Sequence, residues 1–325
     1  KLFQHNTAAK VLNFLDEKST PFQELKLMST LPILLFLNAA LFDAIGKCRS
    51  FLATRSVSFY MTITLLVIQQ FQLGMLSNLI LIVGILSIGL PHGALDHLYS
   101  VSNKLRIPWH FIGVYLGLGL SVLLLWYLLP VIALLIFLAY TAWHFGQADF
   151  EIWKWRSGFK SFFWGSFVLA LILGSHWLET NQILNQMGIE IPKYIDFSFD
   201  FSQTITGLLA ILGLLLLFTR SFFSRIIETI VVLILGLWLP LLPAFVCYFV
   251  FQHSLHGWLH LREKLKLNHQ KMWLQALPFT LGALGLFGAY LYLIQEPNWG
   301  QVFIFLSALS FPHVYYMHKS YQKPH

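Results

Sequence analysis

Long apolar runs separated by short polar segments dominate the chain. The runs approach the roughly 20 residues that an α-helix needs to cross a bilayer, and charge, Pro or Gly marks their ends. They predict an all-α fold, a polytopic transmembrane helix bundle of about ten spans: Val57–Phe71, Asn78–Leu95, Trp109–Leu129, Val131–Gly146, Ser161–Leu178, Thr204–Phe218, Ile226–Leu239, Ala244–Leu261, Trp273–Ile294 and Gln301–Met317.

The connections between the runs alternate in charge. Every basic connection falls on one side of the predicted membrane, and every neutral or acidic connection falls on the other. Because basic loops stay in the cytoplasm, the pattern predicts that both ends of the ten-span core are cytoplasmic. The formal charge of +7 therefore reports topology, and no nucleic-acid partner is expected.

Composition supports the membrane assignment, and the two ends of the chain fall outside the predicted membrane-embedded domain. Charged residues make up 11% of the chain and the mean hydropathy is +0.67, whereas a soluble domain carries about 25% charged residues. Residues 57–318 form the predicted membrane-embedded domain, and residues 319–325 form a C-terminal tail. Residues 1–56 form an N-terminal extension, in which the short run Leu31–Leu41 is expected to be an interfacial helix because basic residues flank it on both sides.

Histidines gather at the predicted cytoplasmic ends of four spans. Independent interfacial histidines would be distributed over both membrane faces, and ionisable residues inside apolar spans are costly unless they share a partner. Neutral imidazole is a common ligand of iron, zinc and copper, so the cluster predicts a metal site. Its eight members are His92, His97, His144, His253, His256, His260, His313 and His318.

Helical spacing narrows the set. At 100° per residue, His256 and His260 lie about 60° and 20° from His253, so the three share one face. His92 and His97 are about 140° apart, as are His313 and His318, so one member of each pair is expected to face a shared centre.

Two carboxylates follow histidines at span ends. Asp96 and Asp149 are either solvated interfacial charges or groups that accept the remaining ring N–H of a metal ligand and so hold its ring. Direct ligation is a further alternative. His97 and His313 are assigned the same supporting role as these carboxylates.

The motif content limits the metal chemistry. The chain has no His-Glu-x-x-His zinc-protease arrangement, and it lacks the full histidine boxes of membrane di-iron desaturases. A bis-histidine haem would use histidines at both depths of the bilayer, and only one face is populated. A mononuclear, all-nitrogen site with open positions for oxygen fits best.

Four segments in matching order resemble the Brp/Blh family, whose members are membrane enzymes that cleave β-carotene at its central 15,15′ double bond. The resemblance runs from about Phe59 to His318. It rests on Gly-Leu-Pro-His92-Gly-Ala-Leu-Asp96, His144-Phe-Gly-Gln-Ala-Asp149-Phe, Tyr248-Phe-Val-Phe-Gln-His253-Ser and Pro312-His313.

The resemblance implies a non-haem Fe(II) centre that uses O2 to convert β-carotene into two retinals, with His92, His144 and His253 as ligands. The fourth ligand of the family lies four residues after the last of these, where this chain has Gly257. His256 or His260 is expected to replace it. His260 is slightly favoured because its angular offset from His253 is smaller, although its rise of about 10 Å argues against both residues binding one iron; His256, with a rise of about 4.5 Å, is the geometric alternative.

The implied substrate and setting follow from the same resemblance. β-Carotene is taken from the bilayer of the inner (plasma) membrane, near the cytoplasmic face, and functional coupling to a retinal-binding rhodopsin is expected. Four aromatic residues beside the histidines are candidates for lining the path of the polyene, although ordinary packing would equally account for any one of them. They are Trp143, Phe145, Trp258 and Phe311.

Two other functions are consistent with a buried histidine cluster. One is another O2-dependent lipid or carotenoid oxidase or hydroxylase. The other is a metal or proton transporter, in which the cluster is a permeation site. A transporter would carry polar residues across the whole bilayer, and the outer halves of these spans are almost wholly apolar.

Overall fold

The computed structural model describes residues 57–100, 109–153, 158–191, 223–294 and 298–321, and within these ranges the chain is helical without strands. The N-terminal extension 1–56, the predicted span Thr204–Phe218 and the last four residues of the tail lie outside the described residues. The helices are α1 (Val57–Gln70), α2 (Gly74–Gly93), α3 (His97–Ser100), α4 (Trp109–Leu128), α5 (Pro130–Ile152), α6 (Phe159–Ser175), α7 (Trp177–Gln186), α8 (Phe223–Gly236), α9 (Leu241–Tyr248, Phe249–Ser254 and Leu255–Leu265 in succession), α10 (His269–Ile294) and α11 (Trp299–Tyr321).

Each predicted span within the described residues coincides with a helix. Length and apolar composition qualify α2, α4, α5 and α10 as membrane-crossing, and α6 with α7 would make a fifth span that is bent by 93°. The all-helical fold is therefore confirmed, and the apolar helices indicate a membrane protein. The count of ten spans and the cytoplasmic placement of both ends stay predictions.

Two helices contain a π-helical turn at the level where they meet. In α2 the turn is Ile85–Gly89, and in α9 it is Phe249–Ser254. The two turns pack against each other, and at Gly84 an added β-carbon would lie 3.0 Å from the ring of Phe251. Such turns are uncommon and often mark functional sites.

The closest helix pair is α5 with α6. A β-carbon at Gly146 would overlap the carbonyl oxygen of Ser161, and one at Gly165 would overlap the carbonyl oxygen of Ala142. Glycine is therefore required at both positions, because only hydrogen fits between the two backbones. The contact buries the second half of α5, including Phe145–Phe150, while the first half exposes Leu135 and its neighbours.

Helix α9 occupies the centre of the bundle, and α10 lies at its edge. Tyr248, Cys247 and Val250 of α9 are fully buried between α1, α2, α5, α6 and α8. In contrast, the buried residues of α10 are Met272, Ala276 and Thr280, and the rest of its length carries exposed apolar side chains, as expected for a helix in contact with lipid.

The α5–α6 contact predicts the effect of adding one methyl group. Gly146→Ala should lower the free energy of unfolding by more than about 3 kcal/mol, because two backbones would have to separate. Gly113→Ala on α4 is the matched control, since nothing lies within 4 Å of its added β-carbon. Thermal unfolding of the two purified variants in detergent tests this; equal midpoints would contradict the close contact.

Candidate metal centre

Four imidazole rings meet in the interior of the bundle. His92 lies 5.7 Å from His253 and 4.9 Å from His313, measured between ring centroids. His144 lies 4.8 Å from His253 and 5.0 Å from His313. The rings thus form a closed quadrilateral, which we call the histidine cluster, and all four side chains are buried.

Four different helices supply the rings. His92 is in the last turn of α2, directly after its π turn, and His253 is within the π turn of α9. His144 lies in the buried half of α5 that packs on α6, and His313 follows Pro312 within α11. The sequence predicted that these four segments end on the same side of the membrane, which stays a prediction; the structure brings their four rings together.

Hydrogen bonds orient two of the rings. Nδ1 of His92 is 2.6 Å from the carbonyl oxygen of Gly89, so it must donate to that carbonyl. Nδ1 of His313 is 3.0 and 2.9 Å from the two carboxylate oxygens of Asp96. A ring that donates through Nδ1 keeps an unprotonated Nε2, which is the form that binds a metal.

Five other ring nitrogens of the cluster lack hydrogen-bond partners. Nε2 of His92, Nε2 of His313, both nitrogens of His144 and Nδ1 of His253 are buried without one. Leaving a buried polar atom unsatisfied costs about 1–3 kcal/mol. Several such atoms in one place indicate a shared partner.

The ring separations suit a bound ion. A ring that binds a metal at about 2.1 Å has its centre about 3.2 Å from the ion, so neighbouring ligand rings lie about 4.5–5.2 Å apart. Three of the four separations fall in that range, and the fourth exceeds it slightly. In the described part of the chain, however, no group of three or more His, Cys, Asp or Glu side chains is already arranged to hold a metal. Binding therefore requires the rings to rotate. All-nitrogen donors suit iron, zinc or copper.

Aromatic side chains enclose one side of the cluster. Phe145 lies 4.7 Å from His253 between ring centroids. Phe249 stacks on His253 at 5.9 Å and meets His92 edge-on at 6.2 Å. These two phenyl rings, which we call the phenylalanine wall, present an apolar surface directly against the imidazoles.

The two carboxylates differ in their partners. Asp96 is buried and bonds to His313 of α11 rather than to a histidine of its own segment. Burial raises the pKa of Asp96, and the neighbouring His313 offsets part of that rise. Asp149 is buried too, but it accepts hydrogen bonds from Nε1 of Trp164 (2.8 Å) and the hydroxyl of Tyr248 (3.1 Å).

The proposed supporting residue His97 points away from the cluster. Its ring stacks on Phe279 of α10 at 4.3 Å, and burial lowers its pKa. His318 also lies apart, 3.0 Å from Nε2 of Gln147. Helical spacing predicted that one member of each of two pairs, His92/His97 and His313/His318, would face the centre. These members are His92 and His313.

Three of the four predicted substrate-lining aromatics lie beside other partners. Trp258 donates from Nε1 to His269, Trp143 lies 6.1 Å from His318, and Phe311 packs on Tyr140. Phe145 touches the cluster. Substrate contact stays a prediction for all four.

The fourth ligand expected from α9 also stays a prediction. His256 and His260 are half-buried. In their place the structure offers His313, which was assigned a supporting role but whose ring is as close to His92 and His144 as the ring of His253 is. Its proximity could not be read from sequence, since it depends on the rotation of α11 against α2 and α5. Phe249, Trp164 and the role of Tyr248 were missed for the same kind of reason.

Comparison with known proteins assigns the chain to a protein family. The profile of the beta-carotene 15,15′-dioxygenase family matches residues 83–319, which include all four rings of the cluster. The chain belongs to this family. One curated member, a beta-carotene 15,15′-dioxygenase from an uncultured marine bacterium 66A03, is 28% identical over 247 residues, covering 70% of this chain and 88% of that protein. No solved structure matches the chain. The resemblance inferred from the four segments is thereby confirmed.

The hydrogen bonds from Trp164 and Tyr248 to Asp149, which we call the Asp149 network, should contribute measurably to stability. Tyr248→Phe should lower the free energy of unfolding by about 1–3 kcal/mol, because a hydrogen bond to a carboxylate is lost. Asp149→Ala should cost more, since two buried donors lose their acceptor. Tyr292→Phe is the control, as Tyr292 is 84% exposed. Thermal unfolding midpoints that do not fall in this order would refute the network.

Proposed function

We propose that this protein cleaves the central 15,15′ double bond of β-carotene with O2 and releases two molecules of all-trans-retinal, using Fe(II) held by the histidine cluster. His92, His144 and His253 are the ligands carried over from the family resemblance. Both oxygen atoms of O2 end in the two aldehydes. The reaction therefore breaks one carbon–carbon double bond, forms two carbonyl groups and consumes no reductant.

One observation carries the proposal. The matched family region contains four buried imidazoles, and five of their nitrogens lack hydrogen-bond partners; an all-nitrogen donor set of this kind suits iron. Bound Fe(II) would supply the activation of O2, which does not react readily with a closed-shell polyene. The chemistry otherwise depends on what the chain holds in place.

The chain brings the four imidazole rings together and orients two of them by hydrogen bonds. The Gly89 carbonyl holds His92 through Nδ1, and the four histidines come from helices that pack on each other, so the rings lie close together before the substrate arrives. Such preorganisation is what partners behind a ligand provide, and removing one commonly costs about 10–100-fold in metal affinity or activity.

The phenylalanine wall supports a polyene substrate. Phe145 and Phe249 offer apolar contact next to His253, where a rigid hydrocarbon chain would displace water. Exclusion of water also protects the reacting carbons from side reactions. A hydroxylase would use the same centre, but it would keep the carbon skeleton of the substrate intact.

The membrane setting is part of the proposal. The four histidine-bearing helices precede basic connections in sequence, which favours a site near the cytoplasmic face of the inner membrane. β-Carotene would enter from the bilayer. Retinal released there could be bound by a rhodopsin, and this coupling stays a prediction.

Product analysis tests the reaction. Purified protein loaded with Fe(II), given O2 and β-carotene without a reductant, should consume the polyene absorbance and yield about two retinals per carotene. Protein stripped of metal should be inactive until iron returns. A hydroxylated product with all forty carbons would favour the oxidase alternative, and full activity without metal would refute the iron mechanism.

Removing one proposed ligand tests the metal centre specifically. His144→Ala is expected to lower bound iron and retinal formation at least about 100-fold, because a ligand should matter no less than the groups behind it. His110→Ala is the matched control, since His110 is exposed on α4. Retention of iron and turnover by His144→Ala would show that the ligand set is wrong.

A further inference from the structure

We propose that His313 is the fourth nitrogen ligand of the centre, in the place that the residue four positions after His253 was expected to take, and that Asp96 holds its ring. The inference rests on the iron centre proposed above and states which side chains complete it. His256 and His260 are then not required as ligands.

Helix α9 presents a glycine to the cluster. A β-carbon at Gly257 would lie 3.6 Å from Cδ2 of His92, an ordinary van der Waals contact, so position 257 faces the centre and carries no donor atom. His256 is rotated by about 100° from Gly257, and His260 lies about 4.5 Å further along the helix. Neither residue takes the position and direction of Gly257.

Helix α11 presents an imidazole instead. The ring of His313 is 4.9 Å from His92 and 5.0 Å from His144, whereas His253 is 5.7 and 4.8 Å from the same two rings. His313 and His253 therefore occupy equivalent corners of the quadrilateral. Nε2 of His313 is buried and has no hydrogen-bond partner.

Asp96 determines which nitrogen of His313 is available. Both carboxylate oxygens lie within hydrogen-bond distance of Nδ1, so this nitrogen carries the proton and Nε2 keeps its lone pair. A carboxylate behind a histidine commonly fixes the ring of a metal ligand in this way. Asp96 is a positioning residue by this argument, since it acts through His313.

The short segment from His92 to Asp96 thus serves two ligands. It supplies the His92 ring directly and orients the His313 ring through Asp96. Between them, Gly93 lies directly beside that ring, since an added β-carbon would stand 3.4 Å from Nδ1 of His313. The same few residues therefore tie α2 to α11 at the level of the cluster.

The proposal predicts that positions 257 and 313 are interchangeable sources of the fourth imidazole. His313→Ala should lose Fe(II) affinity at least about 100-fold, and Asp96→Asn should lose about 10–100-fold, because the positioning carboxylate matters less than the ligand itself. Adding Gly257→His to His313→Ala should restore most of the binding. His318→Ala, on the same helix but bonded to Gln147, should bind iron as the unchanged protein does.

Anaerobic Fe(II) binding to the full-length protein in detergent measures these effects independently of turnover, with a chelator competition for affinity and metal analysis for stoichiometry. His313→Gln is the second variant in case His313→Ala does not fold. Glutamine keeps a donor for Asp96 and a similar volume, but its amide is a poor iron ligand.

The outcomes distinguish the inference from the proposed function. If the unchanged protein binds no Fe(II), the iron centre itself is wrong. If the unchanged protein binds iron and either His313 variant stays within about threefold of it, the iron centre stands and His313 is not a ligand. A double variant that remains as iron-poor as His313→Ala would show that position 257 cannot replace position 313.

Discussion

The burial of four imidazole rings, each with at least one unsatisfied nitrogen, in an apolar bundle is the constraint on which the rest of this structure depends. In lipid or protein interior no water is available to satisfy a ring nitrogen, so the rings are tolerable only if they share a partner and are held close together. The tight α5–α6 contact, the paired π turns of α2 and α9, and the Asp96–His313 bond each serve that end. Folding and chemistry are therefore linked through one site.

Much of the fold was predictable because membrane helices can be recognised in a sequence by their length and apolar composition. The predicted span Val131–Gly146 shows the limit: α5 continues to Ile152, because polar residues such as Gln147 and Asp149 mark a helix end only when they meet water. Here α6, α9 and α11 cover them. Asp149 consequently binds Trp164 and Tyr248, partners that lie on other helices and that no local spacing could reveal.

The histidine cluster was predictable in part for a similar reason. The charge pattern predicts that His92, His144 and His253 lie at one membrane face, and their motifs resemble those of a known family. Angular spacing also separates His313 from His318, yet it cannot tell which of the two turns inward. That choice depends on how α11 is rotated against α2, and it is visible only once Asp96 and His313 are seen in contact.

The π turn of α9 makes the number of residues in that helix as important as their identity. Its extra residue places Tyr248 and His253, five positions apart, where one can reach Asp149 and the other the cluster. If the same residues formed a regular α-helix, all that follows would rotate by about 100°, because the π turn absorbs one extra residue. Tyr248 and His253 would then point to different sides of the bundle. A sequence alignment with a relative that lacks the π turn therefore needs a one-residue gap here, and without that gap it would pair the wrong positions.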